Sequence, residues 1–159
     1  MNKSIIVLLL LFSIITINGQ VKDESESVKQ VIETFFKGLH NGDSTIMKST
    51  FHKDIKIQTT NNNKEGLKIL KTDDPKKLLI GIANKKPENV YLEKLLSYDI
   101  KIDGNLASVW TPYEFYLNGN FSHCGANSFQ LFNNNGTWQI TYLVDMRRRG
   151  DCDVLKDKN

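Results

Sequence analysis

Three turn signals punctuate the second half of the chain: Asp103-Gly104, Asn118-Gly119 and Asn135-Gly136. Each stands between runs rich in β-branched and aromatic residues. Asp-Gly and Asn-Gly place a positive-φ pair between strands, and the backbone twist of that turn matches a hairpin. The runs "YLEKLLSYDIKI", "LASVWTPYEFYL", "FSHCGANSFQLF" and "TWQITYLVDMRR" therefore read as four consecutive strands of an antiparallel meander. A sheet of this size has an apolar face that must be covered.

The first half supplies the cover. In "SVKQVIETFFKGLHNGD" the apolar residues Val28, Val31, Ile32, Phe35, Phe36 and Leu39 fall on one helical face. Ser25 or Ser27 can cap its start, and Asn41-Gly42 ends it. A short second helix follows to about Thr50, capped by Asp43 or Ser44. "DIKIQTT" alternates as a strand, and "LKIL" is too short to assign. "DDPKKLLIGIANKKP" reads as a third helix with Asp74 as N-cap and Pro75 in the first turn. Helices followed by a long meander make the fold class α+β. A sheet that curls around the helices makes a cone with an internal pocket.

The chain has 159 residues, enough for one domain. Residues 1–19 carry Lys3, an apolar run from Ile5 to Ile17 and a small polar end, the pattern of a secretory signal peptide. That run is short for a membrane span. The expected division is a signal peptide at 1–19, a folded domain at 20–152 and a loose tail at 153–159. The product would be periplasmic or secreted, with no stable membrane insertion. With 21 basic against 18 acidic side chains, the charge gives no footing for nucleic-acid binding. Cys124 and Cys152, the only two cysteines, can form one disulfide in an oxidising compartment or stand as two free thiols.

The last hairpin sets which side chains share a face. Placing Phe132 opposite Trp138, with a loop from Asn133 to Thr137, puts Gly125 opposite Asp145 and His123 opposite Arg147. His123, Asp145 and Arg147 then lie together on one face. Trp138, Ile140, Tyr142 and Val144 lie on the other. A carboxylate and an imidazole beside Phe129, Leu131 and Leu143 form either an ion pair at the sheet edge or the polar lining of a pocket. His123 and Cys124 point to opposite sides of their strand, so they are not a working pair. His40, His52 and His123 have no helix-type metal spacing, and neither a metal nor a cofactor is expected. His40 reads as a surface cap at the end of its helix.

The stretches "VIETFFKGLHNGD", "FHKDI", "VWTPYEFYLNGNFSHCGANSFQLF" and "GTWQITYLVDMRRRGDC", in that order, resemble the nuclear transport factor 2-like, or SnoaL-like, superfamily. The similarity is strongest to its exported branch labelled "putative lumazine-binding". The resemblance implies a curved sheet wrapped on helices, with a ligand cavity between them. It nominates His52, Trp110, Tyr113, His123, Asp145 and Arg147 as cavity residues. Three functions follow as expectations. The first is an exported domain that binds a small apolar or aromatic molecule. The second is a cofactor-free lyase, isomerase or hydrolase with His52, His123 or Asp145 as acid or base. The third is an interaction module, such as a homodimer built on the outer sheet face.

Overall fold

The computed structural model describes residues 24–155. The expected signal peptide lies outside them. The elements run α1 (Glu24–Asn41), α2 (Ser44–Ser49), β1 (Phe51–Asn62), β2 (Lys68–Asp73), α3 (Pro75–Ala83), β3 (Tyr91–Leu95), β4 (Asp99–Asp103), β5 (Leu106–Leu117), β6 (Asn120–Asn134) and β7 (Thr137–Arg148). A 3-10 turn at Cys152–Leu155 follows. The seven strands make one curved sheet in the order β2-β1-β7-β6-β5-β3, with β4 also on β5. The sheet is mixed, because β1 runs parallel to β7.

The helices lie in the hollow of this sheet. Val28, Ile32, Phe35 and Phe36 of α1 are buried against Val109, Phe129, Leu131, Trp138, Ile140 and Leu143. Phe129 is the centre of contact, with Phe35 and Phe36 meeting its ring edge-on at 5.8 and 6.1 Å. Edge-to-face pairs of this kind contribute about 0.5–1.5 kcal/mol each beyond burial. The capping residues act as their chemistry requires. Asp43 Oδ1 accepts from the N–H groups of Thr45 and Ile46 at 2.9 Å, and Asp74 Oδ1 from that of Lys76. The first helix starts at Glu24, ahead of both serines expected to cap it.

The closing hairpin is tighter than the sequence predicts. Asn134 pairs with Thr137 across Asn135-Gly136, whose φ values are 52° and 92°. A two-residue turn replaces the expected five-residue loop. Near the turn Phe132 faces Gln139, a register shift of one. A bulge between Gln130 and Leu131, where Thr141 is the extra residue, adds a second, so that Gly125 faces Arg147 and Asn127 faces Asp145. A shift of two restores side-chain facing. His123, Asp145 and Arg147 therefore still share the concave face, with different neighbours. The bulge also turns Trp138 and Ile140 inward, where both are buried, while Tyr142 stays on the convex side and its hydroxyl donates to Gln58. The expectation that Trp138 and Ile140 belong to an outer face is thus corrected.

The run from Tyr91 to Ile102 is two strands, not one. Its partner β5 carries Pro112, which has no N–H to give to a ladder. β3 ends opposite Tyr113 and β4 begins opposite Trp110. Between them only the Leu96 N–H reaches across, to the Pro112 carbonyl at 2.9 Å. Leu96, Ser97 and Tyr98 step away from the sheet. Lys29 of α1 lies over the Tyr98 ring at 5.6 Å from its centroid.

Cys124 and Cys152 are bonded. Cys124 faces the convex side, and the disulfide holds the 3-10 turn against it.

Candidate functional site

The polar residues of the hollow gather at one end of the concave face, beyond the phenylalanine core. Asp145 is at its centre and only 6% exposed. Its Oδ1 accepts from the Thr59 hydroxyl at 2.7 Å, and its Oδ2 from the Tyr113 hydroxyl at 3.3 Å and from Arg147 Nε. Both oxygens are thus committed to donors of the cluster. The parallel β1–β7 pairing brings Thr59 beside it. Tyr113 arrives from β5, two strands away. It reaches across because the intervening residue is Gly125: a Cβ there would lie 3.0 Å from the Tyr113 hydroxyl and 1.7 Å from the Met146 carbonyl. Burial, helped by the Asp145 and Glu93 carboxylates, pushes the Tyr113 phenol far above its ordinary range, so it stays a donor.

His123 stacks on Phe115 at 4.8 Å between centroids and meets Tyr113 edge-on at 5.8 Å. A bulge at Ser122 sets this pairing. Burial and the Arg147 and Arg149 cations push the His123 imidazole below its ordinary value, against the pull of Asp145. At neutral pH it is an uncharged aromatic surface beside the ion pair.

Glu93 of β3 is the residue that sequence reasoning missed. Its Oε1 accepts from Asn127 Nδ2 at 2.8 Å. Its Oε2 takes no hydrogen bond among the described residues. Burial raises its carboxyl from 4.5 to about 7, and the nearby Asp145 charge adds to the rise, while Asn127 and Arg147 oppose it. The signal was present in "YLEKL", where alternation puts an acid between Tyr91 and Leu95 on one face. On the other side of Glu93, its backbone N–H donates to His40 Nε2 at 2.9 Å. His40 is therefore not a surface cap; it ties the end of α1 to the edge of the sheet.

Between α1 and the β3–β4 step lies a groove of about 370 Å³, lined by Phe36, Leu95 and Tyr98 and by the polar groups of Glu33, Lys37, His40, Asn41 and Glu93. The Pro112 break creates it by turning Tyr98 toward the helix. Glu93 is its link to the buried polar cluster.

The nominated residues are thus divided. Tyr113, His123, Asp145 and Arg147 come together. Trp110 is on the convex face and 48% exposed. His52 is at the opposite end of β1, seven residues from Thr59, or roughly 20 Å at strand spacing. Its Nδ1 accepts from the Asp54 N–H at 3.2 Å, and its ring packs near Phe132.

A family model described as "Putative lumazine-binding" matches residues 23–142. Among solved structures, a nuclear transport factor 2-like protein of unknown function from Shewanella baltica is similar over 84% of this chain and 100% of its own, at 18% identity and a TM-score of 0.59. A second such protein, from Methylobacillus flagellatus, is similar over 80% of this chain and 94% of its own, at 19% identity and a TM-score of 0.58. A nuclear transport factor 2-like protein with a cystatin-like fold, from Novosphingobium aromaticivorans, is similar over 86% of this chain and 90% of its own, at 11% identity and a TM-score of 0.61. At these identities the likeness is one of fold. No curated protein matches the sequence.

Proposed function

The chain belongs to the "Putative lumazine-binding" family of the nuclear transport factor 2-like superfamily, and from that premise we propose that it is an exported domain that holds a small, partly aromatic molecule in the groove between α1 and β3. The observation that carries the reading is Glu93: a largely buried carboxyl with one oxygen bonded to Asn127 and the other without a hydrogen bond among the described residues, on the wall of a groove with aromatic sides. Sites for small molecules pair apolar walls with a few placed polar groups, in volumes of about 300–1,000 Å³. Phe36 and Tyr98 supply the walls, and Glu93 and Lys37 the orienting groups. Asp145, Tyr113 and Arg147 hold the floor rigid behind Glu93. The Cys124–Cys152 bond supports export, since such bonds persist in oxidising compartments.

A thermal-shift screen with small aromatic acids and heterocycles tests the proposal. A true ligand at a hundred times its Kd adds about 2.7 kcal/mol to the wild type, and the shift disappears in Tyr98→Ala. A screen without stabilising compounds, or compounds that protect Tyr98→Ala equally, overturns it.

One observation favours a second reading, cofactor-free acid–base catalysis. A carboxyl at about 7 can both give and take a proton near neutral pH. In that case Glu93, rather than His52, His123 or Asp145, is the acid–base group, and product formation falls with Glu93→Gln while binding persists.

A further inference from the structure

The edge of a sheet presents backbone donors that need cover. β3 is the outer strand beyond β5, and it is only five residues long. The N–H of Glu93 points away from β5 and is satisfied by one imidazole nitrogen, His40 Nε2, at 2.9 Å. This contact closes the groove at the α1 side. His40 can accept there only while Nε2 is unprotonated, with the ring proton on Nδ1. We infer that His40 is a pH-sensitive latch: neutral, it ties β3 to α1 and keeps the groove formed; protonated, it presents a donor to a donor, lets β3 go and opens the groove.

The inference rests on the groove being the binding site. The titratable and charged groups around the latch are Glu33 and Lys37 on α1, Glu93 on β3 and Tyr98 in the β3–β4 step. Lys85, from the α3–β3 connection, approaches Gly42 and lies over the Tyr91 ring at 5.4 Å. Among the described residues, α2, β4 and β7 contribute no titratable side chain to the groove lining. Burial holds the His40 imidazole below its ordinary 6.5, whereas its place in the last turn of α1 favours the cation. Burial raises the Glu93 carboxyl to about 7, so acidification also neutralises the carboxylate that could pair with an imidazolium on the β3 side.

Amide hydrogen exchange by NMR on the isotope-labelled, ligand-free chain tests the latch from pH 8 to pH 4, with rates corrected for intrinsic exchange. In the wild type the Glu93 amide loses about tenfold in protection, the weight of one net hydrogen bond, while the Phe129 and Leu131 amides hold. In His40→Gln, whose side-chain oxygen accepts but does not titrate, the Glu93 amide changes less than about twofold. Constant protection in the wild type, or an equal loss in His40→Gln, overturns the inference. Should His40→Gln not fold, Glu93→Gln, which removes the carboxyl's own titration, decides. The His40 ring nitrogens and the residue-93 amide must titrate there with one midpoint below 6.5, and separate midpoints refute the latch. The readout needs no ligand, so a failed ligand screen leaves this test standing.

Discussion

Replacing Glu93 by Gln isolates the energetic consequence of placing a carboxyl under α1. In the folded chain this group titrates at about 7, against 4.5 when unperturbed. A raised carboxyl means that the folded state binds the proton more tightly than the unfolded one. Between these values the folded chain holds more protons, so stability falls as pH rises. The contribution is fully present below pH 4.5 and lost by the time pH has passed through 7. At about 1.36 kcal/mol per unit, the difference amounts to about 3 kcal/mol. Glu93→Gln keeps an oxygen for Asn127 Nδ2 and removes the titration. It should match the wild type near pH 4.5 and exceed it by about 3 kcal/mol at pH 8. With unfolding entropies of about 2.1 cal/mol/K per residue, that is about 10 °C in Tm. Urea unfolding of both proteins at half-unit steps from pH 4.5 to 8.5 gives the difference curve. A flat curve, or one that rises below pH 5, refutes the assignment of a neutral buried acid.

Three further outcomes follow from the same geometry. Gly125→Ala forces a methyl to within 1.7 Å of the Met146 carbonyl and should cost about 3 kcal/mol or more, read by denaturant unfolding. Reduction of Cys124–Cys152, which closes a 28-residue span, should lower stability by about 3–4 kcal/mol on the chain-entropy estimate, measured by unfolding with and without a reductant. Tyr113→Phe removes one donor from Asp145 but leaves Thr59 and Arg147 in place. It should cost only about 1 kcal/mol, and a larger loss in the same unfolding assay would mean that the hydroxyl carries more of the network than its 3.3 Å bond suggests.

Much of the fold was legible because it is written in local chemistry. The spacing of Val28 to Leu39, the Asp74-Pro75 cap and the Asn-Gly turns each fix an element without help from elsewhere. Alternation also put His123, Asp145 and Arg147 on one face, and that survived a register error of two because two residues restore the pleat. What was not legible depends on distant partners. The Thr141 bulge, which reverses Trp138 and Ile140, has no residue signature of its own. The parallel pairing that delivers Thr59 to Asp145 joins strands 86 positions apart. The role of His40 depends on a backbone N–H 53 residues away. Glu93 was overlooked because an acid in a strand is usually solvated. The docking of α1 over the sheet edge and the contact with Asn127 shield this one from water.

The claim that this protein is built around a ligand groove is tested most directly by two-dimensional NMR on the labelled chain with an aromatic compound that raises its Tm. Shift changes should centre on Phe36, His40, Glu93, Leu95 and Tyr98, with Trp110 and Tyr142 on the convex face unchanged. Changes centred on the convex strands, with the Glu93 amide silent, would contradict it.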